Sequence, residues 1–133
     1  SLSESKTGAL TCLPHEPLLG DIIKSGTPVD AIVSRELIGN IFYHGAPLHD
    51  GAAVIRDGRV VAAGCVLPLT QKENLDTQLG TRHRAAIGMS EQGDAMIVVT
   101  SEETGTISIA CKGQLIRNLT DSDLREHLVR YLC

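Results

Sequence analysis

Apolar residues recur along the chain in two rhythms: short unbroken runs, and stripes spaced three or four residues apart. The runs predict strands. Gly8–Leu13 is the first, ended by Pro14, and Val29–Val33 is a brief β-prone run after Pro28. Ala52–Ile55 and Val60–Leu67 flank Asp57-Gly58, a favoured two-residue hairpin turn, and Pro68 ends the second of them. Ala95–Thr100 is the most continuously apolar run and reads as central in a sheet. The turn 101–105 folds it back onto Thr106–Ala110, and Lys112-Gly113 leads into Gln114–Asn118. The stripes predict helices. Pro17–Ile23 has Pro at its start and Ser25-Gly26 at its close. Ser34 caps Arg35–Tyr43, whose Leu37, Ile38, Ile41 and Phe42 form one apolar face. Thr81 is expected to cap a helix ending near Glu91–Gly93, and Thr120 or Asp121 one running to Leu132. Residues 69–80 are a polar connection. Hairpins mixed with helices, with no repeat or linker, predict one α/β domain over residues 1–133: a mixed central β-sheet surrounded by helices.

Composition narrows the partners. A net charge of −4 and a pI near 5.7 lack the basic face that nucleic-acid binding needs. Aromatics are 2% of the chain (Phe42, Tyr43, Tyr131), too few for base-stacking platforms. Cys12, Cys65, Cys111 and Cys133 form no C-x-x-C pair, and the first three lie in apolar runs as small core residues. A reducing, cytosolic compartment fits this usage, although the even count leaves disulfides open. No apolar run approaches the ~20 residues of a membrane span.

Three polar clusters then stand out at the ends of apolar elements, where α/β domains place their sites. In Gly80-Thr81-Arg82-His83-Arg84, cations crowd a predicted helix start, against the helix dipole. That arrangement suits an anion, phosphate above all, although a solvated face paired with carboxylates is the plainer alternative. His49-Asp50-Gly51-Ala52 offers one carboxylate beside residues small enough for a ligand to reach the backbone; an Asx turn into the strand explains it equally well. Ser101-Glu102-Glu103 is either a hairpin loop or the carboxylate side of a cation-bridged phosphate site. Together the clusters suit phosphoryl or nucleotidyl transfer, in which positioning and charge neutralisation dominate. The common nucleotide-binding loops, G-x-x-x-x-G-K-[ST] and G-x-G-x-x-G, are absent.

Leu48-His49-Asp50-Gly51-Ala52-Ala53 and Gly80-Thr81-Arg82-His83-Arg84-Ala85-Ala86 resemble the two signature motifs of the diadenylate cyclase domain. Ser101–Gly105 resembles a third shared stretch, and Thr7–Leu10, Ser34–Leu37 and Asn40–Phe42 extend the likeness over nearly the whole chain. The resemblance is to the membrane-anchored bacterial type. It implies the cytoplasmic domain of a plasma-membrane protein, with the transmembrane helices missing from this chain. It also implies condensation of two ATP into cyclic di-AMP and two pyrophosphates, by two copies of the domain meeting face to face.

The residue roles come with the resemblance. Asp50 would help activate the ribose 3′-hydroxyl and hold Mg²⁺ or Mn²⁺, with His49 as a second ligand. Gly51 and Ala52 would let ATP lie against the backbone. Thr81, Arg82, His83 and Arg84 would hold the triphosphate, and Ser101, Glu102 and Glu103 would line its metal side. One departure concerns the base. Val66 stands before Leu67-Pro68-Leu69 where members of this type often carry Tyr, so adenine would meet Val66 and Leu67. Two other readings share the same residues: a sensor that binds ATP or cyclic di-AMP without turnover, and a metal-dependent phosphohydrolase using His49, Asp50 and His83.

Overall fold

The computed structural model describes residues 9–13, 20–43, 45–71, 80–92, 95–101 and 105–132. In chain order these form β1 (Ala9–Leu13), α1 (Gly20–Lys24), β2 (Thr27–Ile32), α2 (Arg35–Phe42), β3 (Ala52–Arg56) and β4 (Arg59–Cys65). Then follow α3 (Thr81–Ser90), β5 (Met96–Thr100), β6 (Ile107–Cys111), β7 (Gln114–Leu119) and α4 (Asp121–Leu132). The start of the predicted helix 17–23 and most of the connection 69–80 lie outside the described residues, as do Glu102 and Glu103.

One seven-stranded mixed sheet has the order β2-β4-β3-β1-β5-β6-β7. Only β1 and β3 run parallel among the described pairs; the remaining neighbours are antiparallel. Both faces of the sheet are covered, as the alternation in β3 requires. Ala52 and Val54 pack with Ala85, Ala86 and Met89 of α3, and with Ile22 and Ile23 of α1. Ala53, between them, packs with Ile41 and Phe42 of α2 on the other face. Ser34 starts α2 as predicted, its hydroxyl accepting the Leu37 N–H at 3.0 Å.

The β3–β4 ladder is not regular. Opposite three residues of β3, Ala52 to Val54, β4 runs from Cys65 to Ala62, and one step further it spends two residues from Ala62 to Val60. Each extra residue is a bulge that turns the following side chains to the other face. Val60 and Ala63 therefore join one core, and Ala62 and Cys65 the other. The bulge nearer Cys65 includes Gly64, at φ +68°. The expected strand 60–67 stops at Cys65 for this reason: the chain turns off the sheet, and Val66 and Leu67 lie beyond it.

α3 is buried without a break from Ala85 to Ser90. At its C-terminal end Ser90 Oγ donates to Ile87 O at 2.8 Å and accepts the Gly113 N–H at 3.0 Å, tying the helix to the β6–β7 turn. Across its middle runs the strap Pro68–Thr70. A methyl group at Gly88 would lie 2.0 Å from Pro68 O, so only glycine lets the strap rest on the helix. The Thr70 N–H then donates to Arg84 O at 3.1 Å.

Candidate active site

Sheet topology gathers the sequence clusters at one end. β3 starts there, β4 and β5 end there, and α3 begins there. A cleft of about 890 Å³ opens between them. Of the residues singled out from sequence, His49, Asp50, Gly51, Val66, Leu67, Thr81, Arg82, His83 and Ser101 line it. Ala52 and Arg84 do not. Ala52 is wholly buried beneath the floor, and Arg84 sits one turn into α3 with its backbone engaged by Gly80 and Thr70. Glu102 and Glu103 lie outside the described residues.

The floor is built by glycines. Gly51 has φ +99°, and a Cβ there would lie 2.8 Å from Gly64 C and 2.9 Å from Cys65 O. Both the left-handed conformation and the close approach demand glycine. Gly64 and the buried Cys65 complete the floor; burial pushes the Cys65 thiol pKa up, which keeps it protonated and inert.

His49 and Asp50 rise from the turn before β3. His49 Nδ1 lies 2.7 Å from Ala46 O and donates to that carbonyl, which fixes the ring against the turn. Asp50 is exposed at the cleft mouth. Among the described residues no three His, Cys, Asp or Glu side chains cluster to hold a metal by themselves. A site of one imidazole and one carboxylate suits an ion that takes its remaining ligands from substrate oxygens and water.

The opposite wall is the start of α3. Gly80, extended at φ −86° and ψ −170°, is the N-cap, and no side chain caps the helix. Thr81, expected as the cap, is instead the first helical residue. The first N–H turned back into the helix is that of Arg84, to Gly80 O at 3.2 Å. Helix geometry aims the first-turn N–H groups before it out of the helix end, and Thr81, Arg82 and His83 line the cleft there. No acidic residue occupies this turn. Burial holds the His83 pKa below its usual range, and the charges of Arg117 and Arg82 lower it further.

The cleft is thus divided. Val66, Leu67 and Leu69 make an apolar wall, Thr81–His83 a cationic one, and Thr100 and Ser101 close the β5 side. Sequence reasoning missed Gly64, Cys65, Leu69, Ala85 and Thr100. Gly64, Cys65 and Thr100 sit in apolar runs that strand pairing brings to the cleft, whereas Leu69 reaches it on the strap and Ala85 on α3.

Comparison with known proteins decides the family. Residues 1–115 match the family described as "DisA bacterial checkpoint controller nucleotide-binding" (DAC). The chain belongs to this family. The DAC domain here is 43% identical over 127 residues to the cyclic di-AMP synthase CdaA of Bacillus subtilis, covering 96% of this chain and 46% of that protein. It is 39% identical over 131 residues to a diadenylate cyclase of Listeria monocytogenes, covering 98% of this chain and 48% of that one. The chain therefore spans about half the length of these relatives. Its fold matches the crystal structure of a double mutant of DacA from Staphylococcus aureus. The TM-score is 0.95 at 39% identity, over 98% of this chain and 87% of that one. A second crystal structure, of a "hypothetical membrane spanning protein" from Bacillus cereus, matches the DAC domain at TM-score 0.85 and 45% identity. That match covers 90% of this chain and 58% of the other.

Proposed function

We propose that this DAC domain is a diadenylate cyclase, condensing two ATP into cyclic di-AMP with release of two pyrophosphates. The observation that carries the reading is the union, in one cleft, of Asp50-Gly51 with the cationic start of α3. The names of the relatives support the same chemistry. ATP fits the divided cleft with its base on the Val66–Leu67 wall and its triphosphate at Thr81–His83.

In the reaction a ribose 3′-oxygen forms a bond to the α-phosphorus of the other ATP. The bond from that phosphorus to the bridging oxygen breaks, and pyrophosphate leaves. Asp50 takes the 3′-hydroxyl proton as the bond forms. Arg82 and the first-turn N–H groups of α3 hold the charge that accumulates on the departing pyrophosphate. His49 and Asp50 would hold Mg²⁺ or Mn²⁺, which when bound neutralises triphosphate charge and polarises phosphoryl oxygens. Glu102 and Glu103 are further candidates on the phosphate side. One cleft contains one set of these groups, so two copies of the chain must face each other to close the ring.

The parent protein is inferred to be a bacterial membrane-anchored one with this domain on the cytoplasmic side; the membrane-spanning Bacillus cereus relative supports that reading. No helix among the described residues is long and apolar enough to cross a membrane.

The test is product identity. The domain is incubated with ATP and Mn²⁺, or with ATP and Mg²⁺, and the products are weighed by mass spectrometry. Cyclic di-AMP is expected, at a rate rising more steeply than linearly with protein concentration, and Asp50→Asn is expected to abolish it while leaving the thermal midpoint intact. ADP or AMP as product would replace this reading with a phosphohydrolase, and intact ATP bound to the protein would replace it with a sensor. Near-normal turnover by Asp50→Asn would refute the role given to that carboxylate.

A further inference from the structure

The apolar wall of the cleft is a single short piece of chain. Beyond Cys65, where β4 ends opposite Ala52, Val66 and Leu67 leave the ladder. The Val66 side chain is 66% exposed, so packing does little to hold this residue in place. Its backbone is held from outside the cleft. The Val66 N–H donates to Ser25 Oγ at 2.9 Å, and that hydroxyl donates to Ile22 O, in α1, at 2.5 Å. With its proton committed to α1, the hydroxyl presents its lone pairs to Val66. The Ser25 backbone is fixed as well, its N–H reaching Asp21 O and Ile22 O, each at 3.2 Å. Next to it, a methyl group on Gly26 would lie 2.5 Å from both Ala63 O and Cys65 Sγ, so the end of α1 is pressed directly against the end of β4. Ser25 itself is exposed and lines no part of the cleft.

We propose that Ser25 is a positioning residue for the base subsite. Its hydroxyl sets where the exposed Val66 stands beside the core-packed Leu67, and so how well a purine is held, without touching the nucleotide. The inference rests on the nucleotide reading given above. It distinguishes the two ends of the apolar wall: Ser25 holds the Val66 end from α1, while the strap Pro68–Thr70 at the other end rests on α3, whose buried body holds the cationic wall.

The experiment compares Ser25→Ala and Ser25→Thr with the wild type, using ATP and inorganic tripolyphosphate as ligands. In Ser25→Ala the Kd and KM for ATP are expected to rise about three- to tenfold, the effect of one lost neutral hydrogen bond. The kcat at saturating ATP and the Kd for tripolyphosphate should not move. Ser25→Thr keeps the hydroxyl and should restore ATP binding. Hydrogen exchange should quicken at residues 66–70 of Ser25→Ala and stay as in the wild type across 82–90. Unchanged ATP affinity, or equal weakening of ATP and tripolyphosphate, would overturn the proposal. A wild type that binds no ATP refutes the nucleotide reading instead. Unaltered exchange at residues 66–70 refutes the Ser25 clamp whatever the wild type binds.

Discussion

Replacing Gly88 by Ala puts a single methyl group between α3 and the strap that crosses it. The added Cβ would stand 2.0 Å from Pro68 O and 2.7 Å from both Leu69 C and Thr70 N. These are backbone atoms, so no side chain can swing aside, and the strap must rise by more than an ångström to restore van der Waals contact. Overpacking of this kind costs about 1–3 kcal/mol. The same displacement breaks the 3.1 Å bond from the Thr70 N–H to Arg84 O, and a buried backbone group left unpaired costs about 1–3 kcal/mol more. Alanine's better helix propensity returns only about 1 kcal/mol. The balance is a loss of about 3 kcal/mol, or roughly 10 °C in thermal midpoint for a domain of this size. Thermal and urea unfolding of Gly88→Ala beside Gly39→Ala measure it. Gly39 is also inside a helix but has nothing within 4 Å of its would-be methyl, so that change should stabilise by about 0.5–1 kcal/mol. If both substitutions stabilise the protein, the strap does not rest on α3 as described.

Val66→Tyr should tighten ATP binding about fivefold, from ~1 kcal/mol of ring stacking, measured by titration calorimetry; an unchanged Kd removes the base from that wall. Free His83 is held neutral near pH 7 by burial, Arg117 and Arg82, and a bound polyphosphate favours its protonated form. Tripolyphosphate binding near pH 6 should therefore take up more protons in the wild type than in His83→Gln, seen as buffer-dependent binding heat; equal uptake by the two, the ligand's own titration being common to both, would refute the role of His83. For the ligand-free protein the sign is opposite: as pH falls below about 6.5 the unfolded chain protonates this histidine first, so stability declines, less so in His83→Gln. Ser34→Ala removes the acceptor for the Leu37 N–H and should cost about 1 kcal/mol in urea unfolding. ATP turnover should be spared, because α2 covers the face of the sheet opposite α3.

Local signals carried much of this fold into the sequence reading. Asp57-Gly58 announced its hairpin, Ser34 its helix, and the apolar run Ala95–Thr100 its strand, because turn chemistry, caps and burial are written in adjacent residues. What escaped depends on partners distant in sequence. The β4 bulges exist only relative to β3, so the strand was carried two residues too far, to Leu67. Gly88 reads locally as a poor helix former, and only the crossing strap gives the reason for it. Thr81 is a good capping residue by type, but capping needs an extended backbone, and the chain takes that conformation one residue earlier, at Gly80. The motif residues followed the same division. Asp50, Arg82 and His83 reached the cleft, whereas Arg84, next to them in sequence, turned with the helix and gave its carbonyl to the strap.

The helices themselves indicate which departure from local rules is functional. α1 carries Asp21 in its first turn and Lys24 in its last; α4 carries Asp121 and Asp123 first and Arg130 last; α2 has Glu36 beside Arg35 in its first turn and no base in its last. α1 and α4 follow the dipole, which favours acids at the start and bases at the end, and α2 at least balances its Arg35 with an acid. α3 alone among the four has no acid in its first turn, and places Arg82, His83 and Arg84 there instead, without a capping side chain. In a chain of net charge −4, acidic residues were not scarce. Each guanidinium so placed, Arg82 and Arg84, costs a few tenths of a kcal/mol to about 1 kcal/mol in the free protein, and His83 avoids that cost there by staying neutral. An anion at the cleft reverses that sign, so the same residues that weaken the empty helix start strengthen the occupied one. Among the described helices, the start of α3 is the one that gives up local stability with no acid to offset it, and the burial of α3 from Ala85 to Ser90 is what lets it do so without losing the helix.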